Sequence, residues 1–173
     1  PLTIDELLPP YYELGVAEQI IPISAPHKIG IDDLRDAIDE QLEVLHFTKT
    51  ADPSPQSPTP KIAIIGKPNV GKSSIVNAFM SEAQRKASPL LVSDVPGTTR
   101  DTTDTIIKHE GQEYLFMDTA GIRRSKQTQE EIETYAYFRS IRALEMCDIT
   151  LLVLDATEPV SKQDKRIIGM AME

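Results

Sequence analysis

One short segment, residues 61–73, constrains the fold of this chain more than any other feature of its sequence. It joins an apolar run at 61–65 to the pattern GxxxxGKS at 66–73, and apolar residues at helical spacing follow at 74–80. Strand, glycine-containing turn and helix in this order predict a phosphate-binding loop, because backbone N–H groups at a helix N-terminus attract phosphate oxygens. Glycine at both ends lets the backbone wrap a ligand, since a Cβ would obstruct the turns.

Four residues in and after this segment have chemistry suited to a nucleoside triphosphate. Lys72 is expected to reach the β- and γ-phosphates, and the Ser73 hydroxyl is expected to ligate Mg²⁺. Asp118 follows a strand predicted at 113–117, and an Asp at a strand end holds Mg²⁺ through water in other phosphate-loop enzymes. Gly121 allows its backbone N–H to approach the γ-phosphate closely.

A polar loop predicted at 83–104 contains a further candidate for metal coordination. The sequence PGTTRD at 96–101 lies between the first helix and the second strand that follow the phosphate loop. A Thr in this position completes Mg²⁺ coordination when a triphosphate is present and is released after hydrolysis. The loop at 96–101 is therefore predicted to be a switch loop.

A proline-rich stretch divides the chain. Residues 47–60 contain four prolines, which exclude a helix and favour an extended, semi-rigid conformation. We therefore predict a first unit at 1–46, a linker at 47–60 and a second unit at 61–173.

The first unit has few elements. We expect a helix through Leu8 that Pro9-Pro10 ends, a strand at Ile20–Ile23, and a helix that starts after residue 30. Apolar residues recur along that last helix at helical spacing: Ile31, Leu34, Ile38, Leu42 and Leu45. This unit is too small to bury a hydrophobic core alone.

The second unit alternates strands with helices. The pattern predicts strands at 61–65, 105–109, 113–117 and 149–154, and helices at 73–82, about 130–146 and from about 161. Such alternation favours a mainly parallel α/β sheet with helices on both faces, here with one antiparallel edge strand from the hairpin. Ligands of such sheets bind at the carboxyl ends of the strands, where Gly66, Asp118 and Asp155 fall.

Composition excludes several classes of function. The chain has 173 residues and a formal net charge of −9, so it is a poor bulk binder of nucleic acid or anionic membrane. Cys147 is the only cysteine, which excludes an intrachain disulfide framework and a cysteine-based zinc site. No apolar run in the sequence has the length of a membrane span. We expect a cytoplasmic protein.

These motifs together resemble bacterial GTPases of the Era/TrmE type, and most closely the tandem, double-Era-like GTPases. The resemblance rests on GKPNVGKS at 66–73, PGTTRD at 96–101 and DTAGIRR at 118–124. It extends through the rest of the chain to SIRALE at 140–145, LVLDAT at 152–157, YYELG at 11–15, IPISA at 21–25 and GIDDL at 30–34. It implies a P-loop NTPase of the Ras-like G-domain type, incomplete at both ends. Residues 1–46 would be the end of a first G domain and residues 61–173 most of a second.

The resemblance also implies roles for individual residues. Lys72, Thr99 and Gly121 would be catalytic. Mg²⁺ would be held by Ser73, Thr99 and Asp118, and a K⁺ ion by Asn69, Thr98 and backbone carbonyls near Ser93 and Val95. The nucleotide would be bound by Gly66, Lys67, Pro68, Asn69, Val70, Gly71, Lys72, Ser73, Ser74, Asp118, Thr119, Ala120, Gly121 and Ile122.

Two departures from the wider G-domain pattern bear on mechanism and specificity. Ile122 stands where Ras-like enzymes place a water-orienting Gln, so catalysis is expected to rest on Lys72, Mg²⁺ and K⁺ and to be slow. The Asn-Lys-x-Asp motif that specifies guanine does not occur in the sequence. Ser24-Ala25 resembles the guanine-contacting loop of the first domain, so the residues leave guanine and adenine both open.

The expected function is a GTP-binding and GTP-hydrolysing switch in biogenesis of the large ribosomal subunit. Its expected partners are GTP or GDP and that subunit, without a membrane and as a monomer. Two alternatives stay open. In a circularly permuted GTPase, residues 1–46 would complete the sheet of residues 61–173. In a nucleotide-binding scaffold, the bound nucleotide would regulate a protein with little turnover.

Overall fold

A computed structural model describes residues 7–17, 19–47, 58–87, 104–109, 111–117 and 141–172. Its helices are α1 (Pro9–Tyr12), α2 (Ile31–Val44), α3 (Lys72–Phe79), α4 (Glu82–Ala87), α5 (141–146) and α6 (Lys162–Met172), with a 3₁₀ turn at Ala25–His27. Its strands are β1 (Lys61–Ile65), β2 (Thr105–His109), β3 (Gln112–Met117) and β4 (Ile149–Leu152). No helix within the described ranges is both long and apolar enough to cross a membrane.

The described strands form a mixed sheet in the order β2-β3-β1-β4. β1 pairs in parallel with β3 and with β4, whereas β2 pairs antiparallel with β3. The predicted mainly parallel sheet with one antiparallel edge strand is confirmed. Because β1, β3 and β4 run in the same direction, their carboxyl ends lie at one edge of the sheet.

Both faces of the sheet are covered by helices, as predicted. Alternate residues of a strand point to opposite faces, and Ile62 and Ile64 of β1 belong to the core that includes residues of α2 and α3. Ala63, between them, packs with Met117 of β3 and Ala143 of α5 in a second cluster. The described residues therefore form a layered α/β structure, and their four-stranded sheet is not closed.

Helix α2 buries one face at the predicted spacing. Its buried residues are Ile31, Leu34, Ile38 and Leu42, whereas Leu45 lies just beyond the helix and is 46% exposed. Ile38 shares a hydrophobic cluster with Ile62 of β1 and Phe79 of α3. Residues on both sides of the proline-rich stretch thus contribute to one core.

The strand predicted at Ile20–Ile23 is wrong. These residues pair with no strand of the sheet, and the nearby ladder is a single bridge between Ser24 and Ile29. Pro22 has no N–H to donate to a ladder. Ile21 and Ile23 nevertheless pack against the core. The apolar run at Ile20–Ile23 therefore reflects burial and not strand pairing.

The loop predicted from residue 83 is wrong at its start, since residues 82–87 form α4. Ser81 and Gln84 make a reciprocal capping box: the Gln84 amide donates to Ser81 Oγ, and the Ser81 amide donates to Gln84 Oε1, both at 3.2 Å. This box begins α4, and α3 ends at Phe79, before the predicted residue 82, because Met80 is extended. The Ser-x-x-Gln spacing is a sequence signal for it.

The bounds of other helices and strands differ from the predicted bounds by a few residues. Pro9 and Pro10 begin the short helix α1, because proline is tolerated in the first turn, where its missing N–H costs nothing. Most of the helix expected at Thr3–Leu8 and most of the helix expected at 130–146 lie outside the described residues. β4 ends at Leu152, although the Val153 amide still donates to the Ile65 carbonyl at 2.8 Å.

Candidate functional site

The loop from β1 to α3 has the backbone shape that its glycines predict. Gly66, Asn69 and Gly71 have positive φ angles of 154°, 63° and 106°. A Cβ built on Gly66 would lie 2.5 Å from the backbone oxygen of Val153, which is shorter than the non-bonded distances that real Cβ atoms show. Gly66 is therefore required by its contact with the segment that follows β4.

Lys72 is the first residue of α3, and its ammonium group is anchored to the loop itself. Nζ donates hydrogen bonds to the carbonyl oxygens of Gly66 and Lys67, each at 2.8 Å. A cation is thereby fixed beside the N-terminal end of a helix. Both the charge and the helix dipole favour an anion at this position.

The first turn of α3 has the amide groups that a phosphate requires. The N-cap residue, Gly71, has no side chain to accept hydrogen bonds from these amides, and helix N-termini bind anions through their first N–H groups. Ser73 and Ser74 follow Lys72 in this turn, with Ser73 partly buried and Ser74 exposed. The arrangement fits a loop that binds phosphate through its backbone.

Lys67, inside the loop, is held by two acidic side chains from beyond β4. Its Nζ lies 2.7 Å from Glu158 Oε2 and 3.9 Å from Asp164 Oδ2. The hydrogen bond to Glu158 is the main cause of a raised pKa at Lys67, with the charge of Asp164 acting in the same direction. Lys67 therefore remains charged at neutral pH and ties the loop to the segment after β4.

Asp155 organises the turn that carries Glu158. Its Oδ1 accepts hydrogen bonds from the Thr157 hydroxyl at 2.6 Å and the Thr157 amide at 2.9 Å. These two bonds, the hydroxyl first, lower the pKa of Asp155. The Tyr11 hydroxyl donates to the backbone carbonyl of Asp155 at 3.0 Å. A residue before the proline-rich stretch thus contacts this turn.

Asp164 is buried at the start of α6, with a fractional exposure of 3%. Its Oδ2 accepts from the Ser161 hydroxyl at 2.6 Å and the Ser161 amide at 2.8 Å, which makes a capping box. Its Oδ1 has no hydrogen-bond partner among the described residues. The nearby Lys67 ammonium offsets part of the cost of burying this carboxylate.

The structure brings one group of predicted site residues together. Residues 66–74, which comprise the whole predicted phosphate loop and the start of α3, form one continuous turn at the carboxyl end of β1. The other predicted ligands lie outside the described residues: Thr98, Thr99, Asp118, Thr119, Ala120, Gly121 and Ile122. In the described part of the chain, no group of three or more His, Cys, Asp or Glu side chains could hold a metal ion.

Sequence reasoning missed the support that this loop receives. Glu158 and Asp164 were not predicted to contact it, although Asp155 was expected at the same edge of the sheet. The available signal is that Glu158 follows a parallel strand adjacent to β1, because the carboxyl ends of such strands meet. Nothing in the local sequence indicates the contact of Tyr11.

Known proteins that are similar in sequence to this chain are described as GTPases, a class that binds nucleotide phosphates. The family described as 50S ribosome-binding GTPase matches residues 61–173. The protein named GTPase Der from Lachnospira eligens is 45% identical over 163 residues, covering 94% of this chain and 34% of its own length. GTPase Der from Desulforudis audaxviator is 46% identical with the same coverage. This chain spans about a third of the length of these relatives.

The matches confirm the resemblance to the tandem bacterial GTPases and the P-loop α/β fold. The family match begins at Lys61, the first residue of β1, and contains the whole loop that anchors Lys72. Sequence similarity and site geometry thus coincide on the same residues. The chain belongs to the family of 50S ribosome-binding GTPases.

Proposed function

We propose that this chain binds GTP through residues 66–74 and hydrolyses it, acting as a nucleotide-dependent switch. The observation that carries the proposal is the Lys72 ammonium, held by the carbonyl oxygens of Gly66 and Lys67 at the start of α3. Because this cation is already held next to a helix N-terminus, it need not be reoriented when a phosphate group binds. The family match supports guanosine triphosphate as the substrate.

The nucleotide would be bound mainly by backbone amides. Positive φ angles at Asn69 and Gly71 turn the backbone sharply between β1 and α3, and successive amides in such a turn form an anion-binding concavity. Lys67, Pro68 and Val70 fill the remaining positions of the turn. Asp118, Thr119, Ala120, Gly121 and Ile122 are proposed to complete the phosphate site.

The proposed Mg²⁺ ligands are Ser73, Thr99 and Asp118, the last through water. Their donor atoms are hydroxyl and carboxylate oxygens, which match the preference of Mg²⁺, and the position of Ser73 in the first turn of α3 fits this role. Asn69 and Thr98 would offer oxygen atoms to K⁺. Such cations, when bound, neutralise negative charge that develops on the phosphate oxygens.

Hydrolysis would depend on charge stabilisation more than on a positioned base. Lys72 would hold the β- and γ-phosphates, Thr99 would close over them, and the Gly121 amide would approach the γ-phosphate. Ile122 has no group to orient the attacking water, so a slow intrinsic rate is expected. A scaffold with little turnover is the limiting case of this expectation.

The cellular role is proposed from the family. The name of the matched family supports a role on the large ribosomal subunit, and the relatives named GTPase Der support GTP and GDP as ligands. A cytoplasmic location is part of the same proposal. We propose that the chain acts there as a monomer. Within that scheme, residues 1–46 would be the end of a first G domain, 47–60 a linker and 61–173 most of a second.

A circularly permuted G domain is a second candidate, and one observation favours it. Helix α2 packs its buried face into the same core as β1 and α3, and the 3₁₀ turn at Ala25–His27 contacts α3. In such a domain, Ser24-Ala25 would contact the guanine base of a nucleotide whose phosphates bind the phosphate loop that follows in sequence. Strong preference for GTP over ATP would support this arrangement, and unselective binding would support the tandem one.

Single-turnover hydrolysis tests the enzymatic proposal. The chain is mixed with a limiting amount of GTP and Mg²⁺ in KCl or in NaCl, and phosphate release is compared with that of a Lys72→Ala control. Release above the control, and faster in KCl, is expected. If neither salt supports release above the control, the chain is not a working GTPase.

A further inference from the structure

Tyr11 links the part of the chain before the linker to the turn beside the phosphate loop. Its hydroxyl donates to the backbone carbonyl of Asp155 at 3.0 Å and, at the longer distance of 3.4 Å, to that of Glu158. The bonded residues are 144 and 147 positions apart in sequence. One hydroxyl hydrogen is therefore shared between the carbonyls at both ends of a four-residue turn, with the shorter contact to Asp155.

The environment keeps this hydroxyl in its donating form. Partial burial raises the pKa of Tyr11, and the negative charges of Asp155 and Asp164 raise it further. The phenol, which is protonated at neutral pH at its ordinary pKa as well, therefore remains a hydrogen-bond donor. Tyr12, the next residue, is 57% exposed and offers a natural comparison.

The turn that Tyr11 contacts is bonded internally and holds the phosphate loop. Asp155 Oδ1 accepts from Thr157, and the Glu158 amide donates to the Asp155 carbonyl at 3.4 Å. The Glu158 carboxylate then binds the Lys67 ammonium at 2.7 Å. Because the turn is closed, a displacement of its backbone displaces the base of the Glu158 side chain, which is 62% exposed.

Lys67 in turn sets the position of Lys72. The Lys67 carbonyl is one of the two oxygen atoms that hold the Lys72 ammonium, and the Lys67 side chain is only 15% exposed. Contacts thus run without a gap from Tyr11 through the turn and Lys67 to Lys72.

We propose that Tyr11 is a positioning residue for the phosphate loop, acting through Glu158 and Lys67. Its effect on the loop exists without a ligand. Its consequence for GTP affinity rests on the proposed function. The segment before the linker would thereby influence nucleotide binding.

Hydrogen exchange of the whole 173-residue chain, without nucleotide, tests the positioning directly. Tyr11→Phe removes the hydroxyl and keeps the ring, and Tyr12→Phe makes the same change at an exposed position. Loss of such a hydrogen bond is expected to speed amide exchange in residues 66–73 roughly 2- to 10-fold. The β2–β3 hairpin serves as an internal reference that should not change.

A double-mutant cycle separates positioning from general destabilisation. Glu158→Gln keeps the backbone that accepts the hydrogen bond and removes the charge that holds Lys67. If Tyr11 acts through this carboxylate, Tyr11→Phe adds little to loop exchange in the Glu158→Gln background. Additive effects, equal exchange in the Tyr11 and Tyr12 variants, or faster exchange throughout the chain would each overturn the proposal.

The same samples with GTP and Mg²⁺ distinguish the two proposals. Protection of residues 66–73 in the wild-type chain supports GTP binding, and Tyr11→Phe should then weaken GTP affinity roughly 2- to 10-fold. Absence of protection in the wild type overturns the proposed function, whereas the result without nucleotide still decides the role of Tyr11.

Discussion

Truncation of Ile38 tests whether the two parts of the chain share one core. Ile38 is 3% exposed and clusters with Ile62 and Phe79, which lie beyond the proline-rich stretch. Ile38→Ala removes roughly three methyl-sized groups, each worth about 0.8 kcal/mol when buried, and leaves a cavity that adds to the loss. We expect the free energy of unfolding to fall by about 2–5 kcal/mol.

The assay is equilibrium unfolding of the whole chain in urea, followed by far-ultraviolet circular dichroism. Val44→Ala is the matched control, because Val44 is on the same helix and is 67% exposed, so its effect should stay within about 0.5 kcal/mol. Equal stability of the two variants would refute the shared core. An early, separate transition in Ile38→Ala would also refute it, since it would show that α2 unfolds independently of β1 and α3.

Two further predictions concern the turn and the loop. Gly66→Ala should lower the free energy of unfolding by more than about 1 kcal/mol, because its Cβ would meet the Val153 oxygen. Gly169→Ala is the control, because a Cβ at this position of α6 would meet open space. Equal stability of the two variants would contradict the contact at Gly66. Thr157→Val removes the hydroxyl that chiefly lowers the pKa of Asp155. A carboxyl group whose pKa is lowered by folding stabilises the fold above its unfolded pKa, and this stabilisation is lost as the pH falls through its folded pKa. The free energy of unfolding of the wild type should therefore exceed that of Thr157→Val near pH 7. The difference should shrink below about pH 4. A difference in unfolding free energy that does not change with pH would contradict this assignment.

The predictable parts of the fold are those with local signals. β1 has the predicted bounds, because an apolar run directly before a glycine leaves little choice of ends. The buried face of α2 follows from the spacing of Ile31, Leu34, Ile38 and Leu42. The strand predicted at Ile20–Ile23 failed because burial without pairing leaves the same apolar pattern as a strand.

The support of the phosphate loop could not be predicted, because it depends on contacts between distant residues. Lys67 and Glu158 are 91 residues apart, and either could be a solvated surface charge when considered alone. Their approach requires the parallel pairing of β1 with β4, which brings the two following loops together. The contact of Tyr11 needs, in addition, the packing of the first part of the chain against the second.

Calorimetric titration of the chain with GTP, in Mg²⁺ and K⁺, tests the central claim most directly. The claim is that the loop anchoring Lys72 binds the triphosphate, so the wild-type chain should bind GTP and Lys72→Ala should lose that binding. Binding of equal strength by both proteins, or no binding by the wild type while its fold is intact, would contradict the account.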